Sequence, residues 1–342
     1  MSGEFVEAPH QDVVLFSRVR LNRNYEDLPF SGKITREYAD EVVRRTADAV
    51  LGSEQGHAYA MIKLADLSED ARSSLVEHHL ISYDLLRFAQ RSAALISTGK
   101  TVTVMMGEED HLRLQGLLPG LQLERTAELA LSMDEMLSEK YAFAFDSQWG
   151  FLTSSPANVG TGMRACVVMH LPALTAAGQM GPIMQAVAKL GLTVRGLYGE
   201  GSETLGNLYQ MSNQATLGRS EEDVIRSLLA AAGQIAGHER AQREKGEKQD
   251  MMKLQDTLLR SMGEMMYARL MPVNEMMRRY SDVRYAASMG YVHASLAELD
   301  NLIRELQPGS LAVSAGKLLS SREGEILRAK LLREKLPGLV AN

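Results

Sequence analysis

The stretch DVVLFSRVRL, residues 12–21, sets basic side chains at alternate positions of an apolar run and reads as a β-strand. Successive side chains of a strand point to opposite faces, so Arg18 and Arg20 share one face. That face cannot be a dry core without anionic partners, because an unpaired buried charge is expensive. It is either solvated, or it holds phosphates or carboxylates through bidentate guanidinium contacts. Arg113, Arg164 and Arg195 recur, each beside a predicted strand or a glycine-rich turn. Five arginines so placed suggest an anion cradle, and the spacing leaves open whether they converge.

Working outward, residues 35–52 carry apolar positions at helical spacing with Gly52 as a stop. Residues 68–82 read as a helix capped at Ser68, and YAMIKLADL before it is ambiguous. KTVTVMM (100–106) is a strand, and residues 123–141 form an amphipathic helix. YAFAF and WGFLT look like a hairpin, and residues 172–190 like one helix. LTVRGLYG and LGNLYQMSN read as strands flanking a glycine-rich turn. Ser220 with Asp223 resembles a capping box and opens a long helix. That helix runs into the charged segment ERAQREKGEKQD (239–250), the expected domain boundary. Beyond it the chain reads helical to its end, with a turn at QPGS. Eight of the 20 methionines fall between Met251 and Met277; they suit a plastic helical core or subunit interface, or alternatively a peptide-binding groove.

The 342 residues are enough for two domains, and the net charge of −6 argues against a dedicated nucleic-acid binder. A single cysteine, Cys166, excludes an intrachain disulfide and a thiolate-rich metal site. No apolar run approaches the roughly 18 residues of a membrane span, and the polar, acidic start does not read as a signal peptide. The expectation is a soluble cytoplasmic protein with no membrane and no direct nucleic-acid partner.

Three segments carry candidate chemistry. GEEDHLR (107–113) follows a strand; it is either a solvated loop or a site built at a strand end. LTSSPANVGTGMR (152–164) sets Ser155 before the rigid Pro156 and ends in Arg164; its glycines would let backbone approach a ligand. RGLYGEGSE (195–203) predicts a mobile loop or lid. No Walker sequence GxxxxGK[ST] is present, and GTGMRA lacks the third glycine of a dinucleotide fingerprint.

The order SRVRLNRN, EEDHLRLQ, FLTSSPANVGTGMRA, VRGLYGEGSE and MSNQ resembles the ATP:guanido phosphotransferase family, which includes the arginine and creatine kinases. The likeness runs over about residues 12–240 and is greatest to the bacterial branch that phosphorylates arginine side chains in proteins (McsB type). The resemblance implies an α+β catalytic domain over 12–240, an antiparallel sheet flanked by helices. An all-helical domain over 250–342 would follow, for phosphoarginine binding and dimerisation. It implies ATP and Mg2+ as cofactors, with no protein-held metal. It assigns the nucleotide to Phe16, Ser17, Arg18, Val19 and Arg20, to His79 and Arg113, and to Arg164, Ala165, Cys166, Val167 and Val168. Arg195, Gly196, Leu197, Tyr198, Gly199 and Glu200 complete that set. It makes Glu109 the base, Glu200 its partner and Ser155 the acceptor contact.

Three features point to a protein substrate: a short lead-in before the first strand, the C-terminal extension, and the small Gly201 after Glu200. The chain also departs from the family pattern. Gly107 stands where the family has Asn, which is expected to loosen the loop. Ser155 stands where it has a reactive cysteine, and Cys166 does not substitute for it. GEILRA (324–329) corresponds to the phosphoarginine motif RDxxRA, leaving Glu325, Arg328 and Ala329 as its contacts and Arg322 nearby. The implied partners are proteins with exposed arginines, a zinc-finger activator of the McsA type, Clp-type ATPase and protease machinery, and a second copy in a homodimer. The implied setting is stress-linked quality control. Two other readings stay open: a weakened relative acting as a nucleotide- or partner-binding regulator, and a kinase of free arginine or another small guanidine.

Overall fold

The structure, a computed structural model, describes residues 8–30, 32, 34–197 and 204–341. The opening stretch forms β1 (Val14–Arg23), inside an eight-stranded antiparallel sheet. The other strands are β2 (Tyr59–Lys63), β3 (Ala93–Ser97), β4 (Val102–Met106), β5 (Leu112–Pro119), β8 (Met163–His170), β9 (Leu192–Gly196) and β10 (Leu208–Asn213). Their order is β2-β3-β4-β5-β1-β8-β10-β9. The short hairpin β6 (Phe145–Asp146) and β7 (Gly150–Phe151) stands apart, as expected from YAFAF and WGFLT.

Side-chain alternation gives the sheet two unlike faces. Val19 and Leu21 of β1, Leu112 and Leu114 of β5, and Ala165 and Val167 of β8 belong to one apolar core. Helices α1 (Arg36–Leu51), α3 (Leu123–Ser138) and the first half of α6 (Glu221–Tyr267) complete it with Val42, Ala127 and Leu228. The opposite face is covered only at its two ends. Near β3 and β4, Ala94, Ile96 and Met105 pack with Leu64, Leu80 and Leu85 beside α2 (Glu69–Glu77). At the other end Leu208 and, from α4 (Pro172–Ala176), Ala173 join the core of the C-terminal helices. Those are the second half of α6, α7 (Val273–Ser288), α8 (Leu296–Glu305), α9 (Pro308–Ala315) and α10 (Ser321–Leu339).

The structure differs from the sequence reading in three places. Residues 172–190 form two helices, α4 and α5 (Met180–Ala188), separated at Gly178. The charged segment 239–250 lies within α6, as the long helix running into it led one to expect, and α6 departs from helical geometry at Asp250 (φ −160°). Strand β3, whose Ala-rich sequence gives little β signal, was not anticipated, nor was β5 emerging directly from GEEDHLR. In the C-terminal part β11 (His293–Ala294) pairs with β12 (Val340–Ala341). Of the clustered methionines, Met262, Met265, Met271, Met276 and Met277 are buried core, whereas Met252 is 80% exposed.

Arg23 ties three of these parts together. It is buried, and its Nε and Nη2 donate to the two carboxylate oxygens of Asp134 on α3 at 2.8 and 2.9 Å. Its Nη1 donates to the carbonyls of Asn22 and Thr161, and its guanidinium lies 3.5 Å from the Phe151 ring centroid. Asp134→Ala would strand that buried cation. We expect a loss of about 3–5 kcal/mol, read as a lower denaturant midpoint with an unchanged m-value.

Candidate active site

Strand register settles where the five arginines point. Arg18 lies opposite Cys166, and Arg20 opposite both Arg164 and Gln115. Arg113 lies opposite Asn22, and Arg195 opposite Gln210, which itself faces Val168. Directly opposed residues of antiparallel strands project to the same side. All five arginines therefore share the partly uncovered face, between its two apolar covers.

Their environment is strongly cationic. Arg18 Nη2 donates to Gln210 Oε1 at 3.0 Å, but the buried Nε atoms of Arg18 and Arg20 have no hydrogen-bond partner among the described residues. Burial, then the charges of Arg18 and Arg113, bring the pKa of Arg20 down to about 9. Burial, then Arg113 and Arg195, also lower that of Arg164. Such crowding of like charge favours a polyanion. Arg164 has a second task. It donates to Asn158 Oδ1 and to the carbonyls of Asn213, Gln214 and Ala157 at 2.8–3.0 Å, which commits four of its five N–H groups.

The glycines before it are required by close approach to protein backbone. A Cβ on Gly160 (φ +110°) would fall 2.4 Å from the Thr216 carbonyl oxygen, and one on Gly162 (φ +65°) 2.7 Å from that of Asn22.

GEEDHLR is not a solvated loop. Glu108, Asp110 and His111 are buried, and only Glu109 is exposed. Glu108 accepts from Arg113 and from the Ser82 hydroxyl, and burial nonetheless pushes its pKa up. His111 Nδ1 accepts from the Tyr25 amide at 3.0 Å, so its proton sits on Nε2 and is donated to the Pro29 carbonyl. Gly107 (φ +82°) donates to the His111 carbonyl at 2.9 Å. The turn at Gly107, where a looser loop is expected, is braced by this hydrogen bond and by the packing of His111.

Asp110 brings the two halves of the candidate site together. Its Oδ1 accepts from Asn24 Nδ2 at 2.8 Å and from the Ser154 amide at 2.7 Å. The exposed Glu109 and the half-buried Ser155 thus occupy two loops joined through one carboxylate. Pro156 then opens a short 3-10 turn. Composition flagged this acidic segment, but nothing in it announced that Asp110 and Asn24 are the brace.

Of the other nucleotide candidates, Phe16, Cys166 and Val168 share the arginine face. His79, in a left-handed conformation (φ +59°), sets its ring 4.7 Å from that of Phe16. Burial, then the charge of Arg18, holds its pKa well below the usual histidine value, so the imidazole is neutral. The side chains of Ser17, Val19, Ala165 and Val167 point the other way. Val19, Ala165 and Val167 are core, and Ser17 Oγ donates to the Gly120 carbonyl, so only their backbone could meet a ligand. Gly196 ends β9, and Leu197 packs on the C-terminal core. Tyr198, Gly199, Glu200 and Gly201 lie outside the described residues.

In the C-terminal helices Arg328 is buried rather than a surface ion pair. It donates to the carbonyls of Leu306 and Met271, both at 2.8 Å. Ala329 is core, and the half-buried Glu325 pairs with the exposed Arg322 at 3.7 Å. Gly324, Glu325 and Arg328 border a cleft of about 400 Å³ that also touches Asp70 and Asn274.

Comparison with known proteins identifies this arrangement. A family profile described as ATP:guanido phosphotransferase, C-terminal catalytic domain, matches residues 41–242. The protein-arginine kinase of Caldanaerobacter subterraneus subsp. tengcongensis is 41% identical over 331 residues, 95% of this chain and 97% of the relative. The chain belongs to the ATP:guanido phosphotransferase family. The protein-arginine kinase of Halothermothrix orenii is 40% identical over 332 residues, 96% of this chain and 95% of its own. A second profile, protein-arginine kinase McsB C-terminal domain, matches residues 251–341. Within the same family fold, the duplicated taurocyamine kinase of Schistosoma mansoni with transition-state analogue components superposes with a TM-score of 0.60 at 26% identity. That match covers 69% of this chain and 34% of the duplicated one. A lombricine kinase, at 23% identity and TM-score 0.58 over 70% of this chain and 69% of its own, shares the fold. The antiparallel sheet flanked by helices is thus the guanido-kinase architecture.

The neutral histidines of this guanido phosphotransferase give it a pH signature. Burial lowers the pKa of both His79 and His111 in the folded state. Below the unfolded value of about 6.5 the unfolded chain therefore binds more protons, and stability falls as pH drops. Asn tolerates the left-handed backbone, so His79→Asn should flatten the rise in urea midpoint between about pH 5 and pH 7.

Proposed function

We propose that this guanido phosphotransferase transfers the γ-phosphate of ATP to arginine side chains of proteins. The observation that carries the reading is the convergence of five arginines on one sheet face, with the exposed Glu109 on a loop braced beside Ser155. The choice of a protein acceptor draws on the relatives named protein-arginine kinase, alike along nearly the whole chain.

Phosphoryl transfer needs in-line positioning and charge stabilisation more than covalent help. Arg18, Arg20, Arg113, Arg164 and Arg195 would hold the polyphosphate, whose charge relieves their mutual repulsion. Phe16, the neutral His79, Cys166 and Val168 would border the rest of the nucleotide. The acceptor guanidinium is a cation and a poor nucleophile. One of its N–H groups must lose a proton as a P–N bond forms and the P–O bond to ADP breaks. Glu109 takes that proton, with Glu200, which the family resemblance makes its partner, orienting the guanidinium and the Ser155 hydroxyl accepting one of its hydrogen bonds. Mg2+ would be carried by the nucleotide phosphates and would supply charge neutralisation there.

The same reading extends to a cytoplasmic homodimer in stress-linked protein quality control. It would act on proteins with exposed arginines, with a zinc-finger activator and with Clp-type ATPase and protease machinery downstream. Phosphoarginine sensing by the C-terminal domain would have to use Arg328, already shared with two carbonyls, beside Glu325 and Ala329.

A second reading has one observation in its favour. Ser155 offers no thiolate, and Cys166 is buried in the sheet, so a weakened relative that binds nucleotide or a partner would look the same. Purified protein with Mg-ATP and casein should yield acid-labile phosphate located on arginine by mass spectrometry; ATP binding without that product would favour the regulator. Robust turnover of free L-arginine would favour a small-guanidine kinase. Glu109→Gln should cut transfer about 10²–10⁴-fold while leaving ATP affinity near wild type, and a variant that keeps its activity removes Glu109 as the base. Ser155→Cys should raise kcat; no gain would mean that the hydroxyl suffices.

A further inference from the structure

Ser82 belongs to none of the sequence motifs that mark the site. It follows α2 and leads into a short 3-10 turn over Asp84–Phe88. Its amide donates to Met105 Sδ at 3.3 Å, and Met105 lies directly opposite Arg113 across β4 and β5. Opposed side chains of antiparallel strands share a face, so Ser82 sits on the arginine face, on the side of Arg113.

The surroundings of its hydroxyl fix which way the proton points. Ser82 Oγ accepts from the Leu85 amide at 3.1 Å. Its single O–H proton is donated to Glu108 Oε1, since an ionised carboxylate can only accept.

Glu108 passes this constraint on to Arg113. The carboxylate is 1% exposed. Arg113 Nη1 donates to Oε1 at 2.9 Å and lies 2.7 Å from Oε2. From β1, Asn22 Oδ1 accepts from Arg113 Nε at 3.2 Å. The guanidinium is thus held at Nε and at Nη1, and its Nη2 donates to no side chain or carbonyl among the described residues. A planar fork fixed at two of its nitrogens presents the third in a set direction. That third nitrogen belongs to the face where Arg18, Arg20, Arg164 and Arg195 converge.

We propose that Ser82 is a positioning residue: through Glu108 it holds the Arg113 guanidinium in place for the phosphates of the nucleotide. The inference rests on the nucleotide reading of the arginine face and deepens it.

The arrangement responds to pH with a sign that Ser82 helps to set. Burial pushes the pKa of Glu108 up, against the opposing pull of Arg113 on β5, the Ser82 hydroxyl and Arg20 on β1, while Asp84 after the turn adds to the rise. A protonated Glu108 no longer forms an ion pair with Arg113. Removing the hydroxyl takes away one of the opposing influences, so Glu108 then protonates at a higher pH.

Titration calorimetry of the full chain with Mg-ATP, between about pH 5 and pH 7.5, tests this without turnover. Ser82→Ala should weaken binding about tenfold near pH 6 and move the acid-side loss of affinity upward by about one pH unit. The ionisation of ATP itself is common to all variants and cancels in the comparison. Ser82→Thr keeps the hydroxyl and should match wild type. Glu108→Gln cannot ionise, so adding Ser82→Ala to it should cause no further loss, because the two residues act as one unit. Ser82→Cys, nearly isosteric but a weak donor, should fall between wild type and Ser82→Ala, and it decides the matter if Ser82→Ala does not fold. Wild-type affinity and an unshifted pH dependence in Ser82→Ala or Ser82→Cys overturn the inference, as does a full further loss on the Glu108→Gln background. The expected shifts without phosphoarginine on any protein uphold the positioning role and defeat the protein-arginine kinase reading. A wild-type protein that binds no Mg-ATP overturns both.

Discussion

Like charge on one face of β1 is the constraint around which this protein is arranged. Arg18 and Arg20 sit at alternate positions of a strand inside the sheet, and the register adds Arg113, Arg164 and Arg195. Such a face cannot be sealed by apolar helices, because the guanidinium groups would lose water and gain nothing. The sheet is therefore buried fully on one side and only at its ends on the other. What remains between is a strip of positive potential with donors unsatisfied among the described residues, an arrangement that favours a polyanion.

In and around that strip arginines also serve as backbone clamps. Arg23 binds α3 to the Ser155 loop, Arg164 binds that loop to the end of β10, and Arg328 joins α7, α8 and α10 through two carbonyls. A guanidinium suits this work because its planar fork satisfies several buried carbonyls at once. The acidic loop follows the same logic. Glu108 and Asp110 are consumed in bracing, which leaves Glu109 as the carboxylate free to meet a substrate.

The C-terminal helices contact elements that border this site. Glu77 at the end of α2 accepts from the amides of Gly309 and Ser310 and from the Ser310 hydroxyl, capping α9. Two residues later in the chain His79 lies over Phe16 beside Arg18. Glu77 thus links α9 to the segment that carries His79. Glu239 on α6 likewise caps α4 and pairs with Arg243, so the long helix bears on both cores.

The sequence by itself determined the strand with two arginines on one side, most helices, the hairpin and, through the order of its motifs, the family. Those features are local: alternation, capping residues and fixed turns act over a few positions. It did not determine that the five arginines share a face, because that depends on register between β1, β5, β8, β10 and β9. Composition did not tell Glu109 from Glu108 and Asp110, three neighbouring carboxylates with nothing local to separate them; only the family resemblance singled it out. The physical difference between them is tertiary, since burial of Glu108 against Arg113 and Ser82, and the reach of Asp110 to Asn24 and Ser154, give each carboxylate its own surroundings.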